Sequence, residues 1–355
     1  MDVRELRQRW ESPSAPRPIV GIGAGGIVGD AHLPAYALGR LPVAGLYDPD
    51  VARARALAQK FGLPRVFERL EDALAVDGAI FDVAVPPAAL PQVVEQLPRG
   101  SFALLQKPMG RDLAEATRIL ATCRERRIVA GVNLQLRYSP AMLALADALA
   151  RGWLGRAVEL EVNVQCHMPW QLWPFLAGLE RMELPLHSIH YLDTIRGLLG
   201  EPTRVQGRTV KHPDAPKLAS SRTTAILDYG DDVRCALSVN HHHDHGPRHQ
   251  RSELRLEGTR GAAVVVMGVN LDYPRGRPDS LEIALEGEDW REVPLVGNWF
   301  PHAFLGVMNH LQRFACGEDR ELACSVESAW RTMGVIEALY EADAARGVAV
   351  PELPA

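Results

Sequence analysis

The chain has no surplus of positive charge. Its 355 residues carry a formal net charge of −5, which is no electrostatic footprint for nucleic acid or an anionic membrane. No apolar run is long enough to cross a bilayer. Cysteine is sparse and scattered, and Cys123, Cys166, Cys235, Cys316 and Cys324 form no C-x-x-C pair. An odd, dispersed set excludes a disulfide framework or a zinc ribbon and reads as apolar residues in a reducing compartment. Met1 to Arg17 is charged and polar, unlike a secretory leader, so the expected location is cytoplasmic. Internal repeats and low-complexity tracts are missing as well. What remains is an ordinary globular composition, 47% hydrophobic and 23% charged, at a length that suits two domains.

One stretch organises the rest: Ile19-Val20-Gly21-Ile22-Gly23-Ala24-Gly25-Gly26-Ile27-Val28. A short apolar run breaks into glycines and resumes as a helix-compatible segment, the pattern of strand, phosphate-cradling turn and helix N-terminus. Gly21, Gly23 and Gly26 match G-x-G-x-x-G literally. Gly23, Gly25 and Val28 match it with a small apolar third residue, and this register leaves Pro18 to Ile22 free to form a buried strand. A second apolar run, Val43 to Tyr47, ends in Asp48, roughly 20 residues on, where a carboxylate binds ribose hydroxyls. The pair predicts a dinucleotide site, and Asp48 selects NAD over NADP because a carboxylate repels a 2′-phosphate.

Strand and helix patterns then alternate. Helical spacing covers Asp50 to Phe61, Leu70 to Val76, Ala88 to Leu97 and Asp112 to Arg127. Buried strands are expected at Gly78 to Val85, Phe102 to Leu105 and Ile128 to Val132. This alternation predicts a doubly wound parallel sheet, an α/β Rossmann domain over residues 18–132 behind an extension at 1–17. Ligands bind such sheets at the strand C-terminal ends, where Gly23, Asp48, Val85-Pro86-Pro87 and Gln106-Lys107 fall. From Asn133 the pattern changes. Helices are expected at Pro140 to Arg151, Leu184 to Leu199, His302 to Ala315 and Val326 to Arg346. Between them, alternating runs predict a large, mostly antiparallel sheet in a second domain, residues 133–355.

The glycine turn, Asp30-Ala31-His32-Leu33-Pro34-Ala35-Tyr36, Tyr47-Asp48-Pro49-Asp50, Pro86-Pro87, Gln106-Lys107-Pro108, Ser188-Ile189-His190-Tyr191-Leu192-Asp193 and Glu257-Gly258-Thr259-Arg260-Gly261 occur in that order. Together, from about Pro18 to Val350, they resemble the glucose–fructose oxidoreductase / inositol dehydrogenase (Gfo/Idh/MocA) family. The resemblance implies an NAD-dependent enzyme interconverting a secondary alcohol and a ketone on a sugar, inositol or related polyol. It also implies a homo-oligomer joined through the open C-terminal sheet. Gly23, Gly25, Gly26, Ile27, Asp48, Val85, Pro86, Gln106 and Lys107 would bind the cofactor.

Lys107 matches the lysine of the family's Glu-Lys-Pro motif, beside the nicotinamide and the reacting hydroxyl. His190 matches the histidine that exchanges a proton with that hydroxyl, a role suited to imidazole near neutral pH. Two positions depart from the pattern: Gln106 stands where the motif has glutamate, and Leu186 where an aspartate often precedes the histidine by one helical turn. Asp193, three residues after His190, is expected to orient the ring instead. Asn133, Arg137, Trp170, Trp173 and His187 fall where the family brings substrate-binding groups.

The run His241-His242-His243-Asp244-His245 would put three imidazoles on one face if it continued the strand before it, and three imidazoles suffice for zinc. The resemblance requires no metal, and none is expected. A rival reading keeps the Rossmann site but makes the protein a nucleotide or sugar sensor, or a holder of tightly bound NAD in an internal redox cycle.

Overall fold

A computed structural model describes residues 1–273 and 275–349, so Val350, where the resemblance ends, lies outside them. Six short strands, β1 (Ile19–Ile22), β2 (Val43–Tyr47), β3 (Val66–Phe67), β4 (Ile80–Val83), β5 (Phe102–Leu105) and β6 (Val129–Val132), form a parallel sheet in the order β3-β2-β1-β4-β5-β6. β1 and β4 are buried along their whole length, as expected for strands covered on both faces. The register aligns their ends into one rim: Ile22 pairs with Tyr47 and Val83, Val83 with Leu105, and Leu105 with Val132. The residues just past that rim are Gly23, Asp48, Ala84, Gln106 and Asn133. β3 was too short to show in the sequence.

Helices α1 (Leu33–Leu38), α2 (Val51–Phe61), α3 (Leu70–Leu74), α4 (Leu90–Gln96) and α5 (Leu113–Arg126) connect the strands. Their boundaries follow local chemistry. The Asp50 and Asp112 side chains accept from the Arg53 and Glu115 amides at the starts of α2 and α5. Gly62 closes α2 in the left-handed region, with φ +64°.

The second half builds an eight-stranded sheet from β7 (Ala157–Gln165), β8 (Arg204–Val210), β9 (Arg222–Asp228), β10 (Arg234–Asn240), β11 (Arg251–Gly258), β12 (Gly261–Val266), β13 (Ser280–Leu285) and β14 (Arg291–Glu292). The order is β14-β13-β12-β11-β7-β10-β9-β8, and every pairing is antiparallel except β7 with β10. Helices α6 (Pro140–Ala150), α7 (Ile189–Leu199) and α9 (Val326–Ala345) pack on one face. α8 (Phe304–Ala315) turns the other way and joins a core containing Ile19, Ala24, Val28 and Tyr36 from the first sheet's layer. The segment before α9 also returns, since the Val132 amide donates to the Cys324 carbonyl at 2.7 Å. Residues 1–17 lie along this second half: Trp10 stacks on His310 at 4.0 Å, and Ser14 bonds to Glu318.

The histidine run departs from expectation. β10 stops at Asn240, whose side-chain oxygen accepts from the His242 amide at 2.9 Å and turns the chain out of the sheet. His241, His243 and His245 therefore share no strand face. His241 is fully buried, His242 stacks on His212 at 4.4 Å, and His243 Nε2 lies 2.8 Å from the Arg248 carbonyl. Among the described residues no three His, Cys, Asp or Glu side chains gather as a metal site.

Candidate active site

The glycine turn sits at the centre of the rim. Gly23 has φ +106°, and a Cβ there would meet the Ala84 carbonyl oxygen at 2.3 Å, so only glycine fits. A Cβ on Gly25 would meet nothing within 4 Å, which leaves open space on the side a pyrophosphate would approach. Gly26 and Ile27 begin the helical turns. The closest helix packing falls one residue past Val28, at Gly29, where a Cβ would lie 2.8 Å from Leu57. Asp48, 7% exposed, accepts from the Ala24 amide at 2.7 Å and the Asp50 amide at 2.8 Å. Its carboxylate thus clasps the turn from the end of β2, beside the ribose position. Val85 and Pro86 follow β4 and are partly exposed on the same rim. These residues fit a bound dinucleotide: a glycine cradle, free space over it, aligned amides and a carboxylate at the ribose position.

Lys107 follows β5 and is half-buried. Its ammonium donates to the Leu186 carbonyl at 2.8 Å, and burial pushes its pKa down to about 8. Gln106 keeps its side-chain oxygen on the Lys107 amide at 3.2 Å. Leu186 belongs to a single π-type turn, Leu184–Ser188, that opens α7. The first helix after β1 carries another such turn, Val28–His32. Leu186 offers no carboxylate, and its backbone oxygen holds the lysine instead.

His187 and His190 stand next along this helix. Each has a buried Nδ1 with no hydrogen-bond partner among the described residues. Burial holds the pKa of both well below the ordinary histidine value; the charge of Lys107 adds to this for His190, and those of His241 and Lys107 for His187. The Trp299 ring meets His190 edge-on at 5.6 Å, and the Trp170 ring meets His187 edge-on at 5.6 Å. Trp173 packs on Tyr273, 5.3 Å between centroids, farther along the same loop.

Three residues are placed otherwise than expected. Asp193 does not orient His190: its carboxylate accepts from Arg137 Nε at 2.9 Å and Nη2 at 2.7 Å, and from Thr332 at 3.1 Å. Arg137 is correspondingly engaged by Asp193, because a guanidinium and a carboxylate with matching geometry satisfy each other. The pair ties α7 to the turn after β6. Asn133, fully buried, lies 3.2 Å from His32 Nε2 rather than free in the cleft.

That contact exposes a network the sequence reading missed. His32 Nδ1 and Tyr36 Oη each sit 2.8 Å from the Asp82 carboxylate, which is 2% exposed inside β4. The signal was present, since a lone carboxylate in an apolar strand requires buried partners. Glu183, also missed, is 1% exposed and accepts from Ser188 at 2.6 Å and Thr223 at 2.5 Å. It lies 3.4 Å from His241 Nε2, and Cys166 lies 3.5 Å from His241 Nδ1. No local pattern announces that cluster, because its members come from four separate segments.

Comparisons with known proteins agree with this fold. Residues 18–134 match the family described as "Oxidoreductase family, NAD-binding Rossmann fold", and residues 142–264 match the "GFO/IDH/MocA C-terminal domain". A trans-1,2-dihydrobenzene-1,2-diol dehydrogenase from Bos taurus is 34% identical, over 63% of this chain and 69% of that one. A D-apiose dehydrogenase from Paraburkholderia graminis is 30% identical over 47% of this chain, a match that spans 45% of that relative's length. Among solved structures, levoglucosan dehydrogenase in complex with NADH and levoglucosan has the same fold, with a TM-score of 0.76 at 17% identity, covering 95% of this chain and 100% of that one.

Proposed function

Because the chain belongs to the Gfo/Idh/MocA oxidoreductase family, with an NAD-binding Rossmann domain at its N-terminal end, we propose that it interconverts a secondary alcohol and a ketone on a sugar, inositol or related polyol. One observation carries this reading. A partly desolvated lysine at the sheet rim is tied to the turn that bears His187 and leads into the helix bearing His190, two imidazoles whose buried Nδ1 atoms have no hydrogen-bond partner among the described residues.

Residues 18–132 hold the cofactor in this proposal and residues 133–355 supply the substrate side. Gly23, Gly25, Gly26 and Ile27 present the amide cradle, Asp48 takes the ribose hydroxyls, and Val85, Pro86 and Gln106 line the approach to the nicotinamide. Bound NAD supplies hydride acceptance or donation at the substrate carbon. Lys107 hydrogen-bonds the reacting oxygen and stabilises the charge that develops there. His190, neutral in its buried setting, takes the hydroxyl proton during oxidation and returns it during reduction. Trp170 and Trp173 offer apolar faces to the C–H surface of a ring. His187 offers a further polar contact.

Cytoplasmic location belongs to the same proposal, and no helix among the described residues is long and apolar enough to cross a membrane. So does a homo-oligomer built on the sheet face opposite α9, where Ile226 is 52% exposed.

The test is the reduced-nicotinamide absorbance that develops when purified protein meets NAD and a panel of polyols. Turnover that depends on Lys107 and His190 supports a dehydrogenase. Tight NAD binding without turnover on any of them would favour the sensor or internal-cycle reading instead.

A further inference from the structure

Asp279, immediately before β13, holds two turns of the second half at once. Its Oδ1 accepts from the Gly268 amide at 2.7 Å, and its Oδ2 accepts from the Trp299 amide. Its own amide donates to the Asn298 side-chain oxygen at 2.9 Å, which closes the clasp from the other side. Among the described residues no cation balances this carboxylate; burial pushes its pKa up to about 6, so its charge costs stability at neutral pH. A neutral asparagine would avoid that cost and lose the clasp. It has one acceptor oxygen, and its amide nitrogen would face the second N–H.

Both clasped turns lead to His190. Gly268 opens the turn Gly268–Asn270, and the Asn270 side chain donates to Tyr191 Oη at 2.9 Å, one residue past His190 on α7. Trp299, 4% exposed, is the ring that meets His190 edge-on at 5.6 Å. The helix carrying the imidazole and the ring walling it are therefore held by one carboxylate. His190 is neutral because of its burial first and the Lys107 charge second. The other titratable groups around it are engaged elsewhere or neutral. Asp193 is bound by Arg137, Tyr191 by Asn270, His187 is held neutral by burial, and His302 Nδ1 accepts from the Asn298 amide at 3.3 Å. The wall and the lysine are what remain to set the ionisation of this ring.

We propose that Asp279 is a positioning residue that seats Trp299 against His190 and so keeps water from the imidazole that exchanges the substrate proton. This deepens the dehydrogenase reading and rests on it. Asp279 touches no substrate and acts through Trp299.

Nitrogen-15 histidine NMR of the full chain reads the His190 ring without turnover, with His190→Gln assigning its signals. At pH 6.5 an ordinary imidazole is half protonated, and Asp279 is mostly ionised. The His190 ring of the unmodified protein should be neutral there. Trp299→Ala should admit water and give a mixture of protonated and neutral ring, and Trp299→Phe should restore the neutral form. Asp279→Asn should move the signals in the same direction, and should add nothing once Trp299 is alanine. Where Trp299→Ala does not fold, Trp299→Leu takes its place. A His190 signal unmoved by Asp279→Asn, or moved as far in the Trp299 variant as without it, overturns the proposal.

With a polyol that turns over, Asp279→Asn should lower kcat/KM at pH 7 about tenfold, chiefly through kcat. The acid-side limb of its pH profile should move up toward the ordinary histidine value. A loss of stability with kcat and that limb unchanged overturns the proposal by showing a structural clasp only. Absence of turnover on every polyol sinks the dehydrogenase reading alone, and the NMR comparison still decides whether Asp279 seats the ring.

Discussion

Lys107 donates its ammonium to the backbone oxygen of Leu186, 2.8 Å away and 79 positions along the chain. The bond joins the rim of one sheet to the helix that carries the site's imidazoles. It also explains how a leucine is tolerated where a carboxylate would be more usual, because the backbone supplies the acceptor. The ammonium is then held by a dipole rather than a full charge, and burial dominates its ionisation.

The pH profile should report this. With Lys107 at about 8, the ammonium is present below that pH and lost above it. The profile of kcat/KM should therefore carry an ionisation near 8. Lys107→Arg keeps a charge at every working pH, so that ionisation should vanish while the rate falls about 10²- to 10⁴-fold. Stopped-flow or steady-state rates across pH 6 to 10 make the comparison, and an unchanged ionisation in the variant would assign it elsewhere.

Asp48 holds the Ala24 amide, and the proposed function gives it a second job at the ribose hydroxyls. Asp48→Ser should raise the Kd for NAD about 10- to 100-fold, the loss of one or two hydrogen bonds to a charged group. The penalty for NADP should be smaller, because the repulsion of a 2′-phosphate goes with the carboxylate. Calorimetric titration of both nucleotides tests this; equal losses would remove Asp48 from cofactor selection.

The Arg137–Asp193 pair is structural here, so Asp193→Asn should behave as a stability variant. Leaving a partly buried guanidinium without its carboxylate should cost about 3 kcal/mol in urea unfolding. Burial holds the His190 pKa well below the ordinary histidine value, and the acid-side limb of the kcat/KM profile, where this ring takes up its proton, should stay in place. A shift in that ionisation with unchanged stability would restore Asp193 to an orienting role.

Asp279 offers a signed test at a different point. Burial raises its carboxyl pKa from 3.8 to about 6, although the Gly268 and Trp299 amides donate to it. The folded state therefore binds this proton more tightly than the unfolded chain does. Its contribution to stability falls as pH rises from about 4 to about 6, by on the order of 3 kcal/mol, and the cost is fully present at pH 7. Asp279→Asn should flatten the stability curve over that window. Urea midpoints at pH 4, 5, 6 and 7 for both proteins give the comparison.

The parts of the site that were legible in the sequence are the local ones. Gly23, Asp48 and Lys107 each follow a recognisable strand end, and strand ends in a parallel sheet converge by construction. Asp193 was misread because spacing along a helix gives no hint of a better partner elsewhere; Arg137 lies 56 residues earlier. Glu183 was invisible for the same reason, with Thr223 40 positions away on another strand. The histidine run failed differently. Its two-residue period was real, but the Asn240 side chain ends the strand before the period begins. A period has meaning only while the element persists.

The return of α8 and the 322–325 segment to the first sheet bears on how the chain reaches this structure. Val307, Met308, Leu311 and Cys324 share a core with Ile19, Val28 and Leu104, and the Cys324 carbonyl completes the hydrogen bonding of β6. The dinucleotide half therefore cannot finish its core during synthesis until the residues up to Cys324 have left the ribosome. Closing a loop of that length adds little to the equilibrium cost, because the entropy grows only with the logarithm of length. Its weight falls on the rate, where distant contacts slow the search. Until α8 arrives, the helix that follows the glycine turn waits with one apolar flank uncovered.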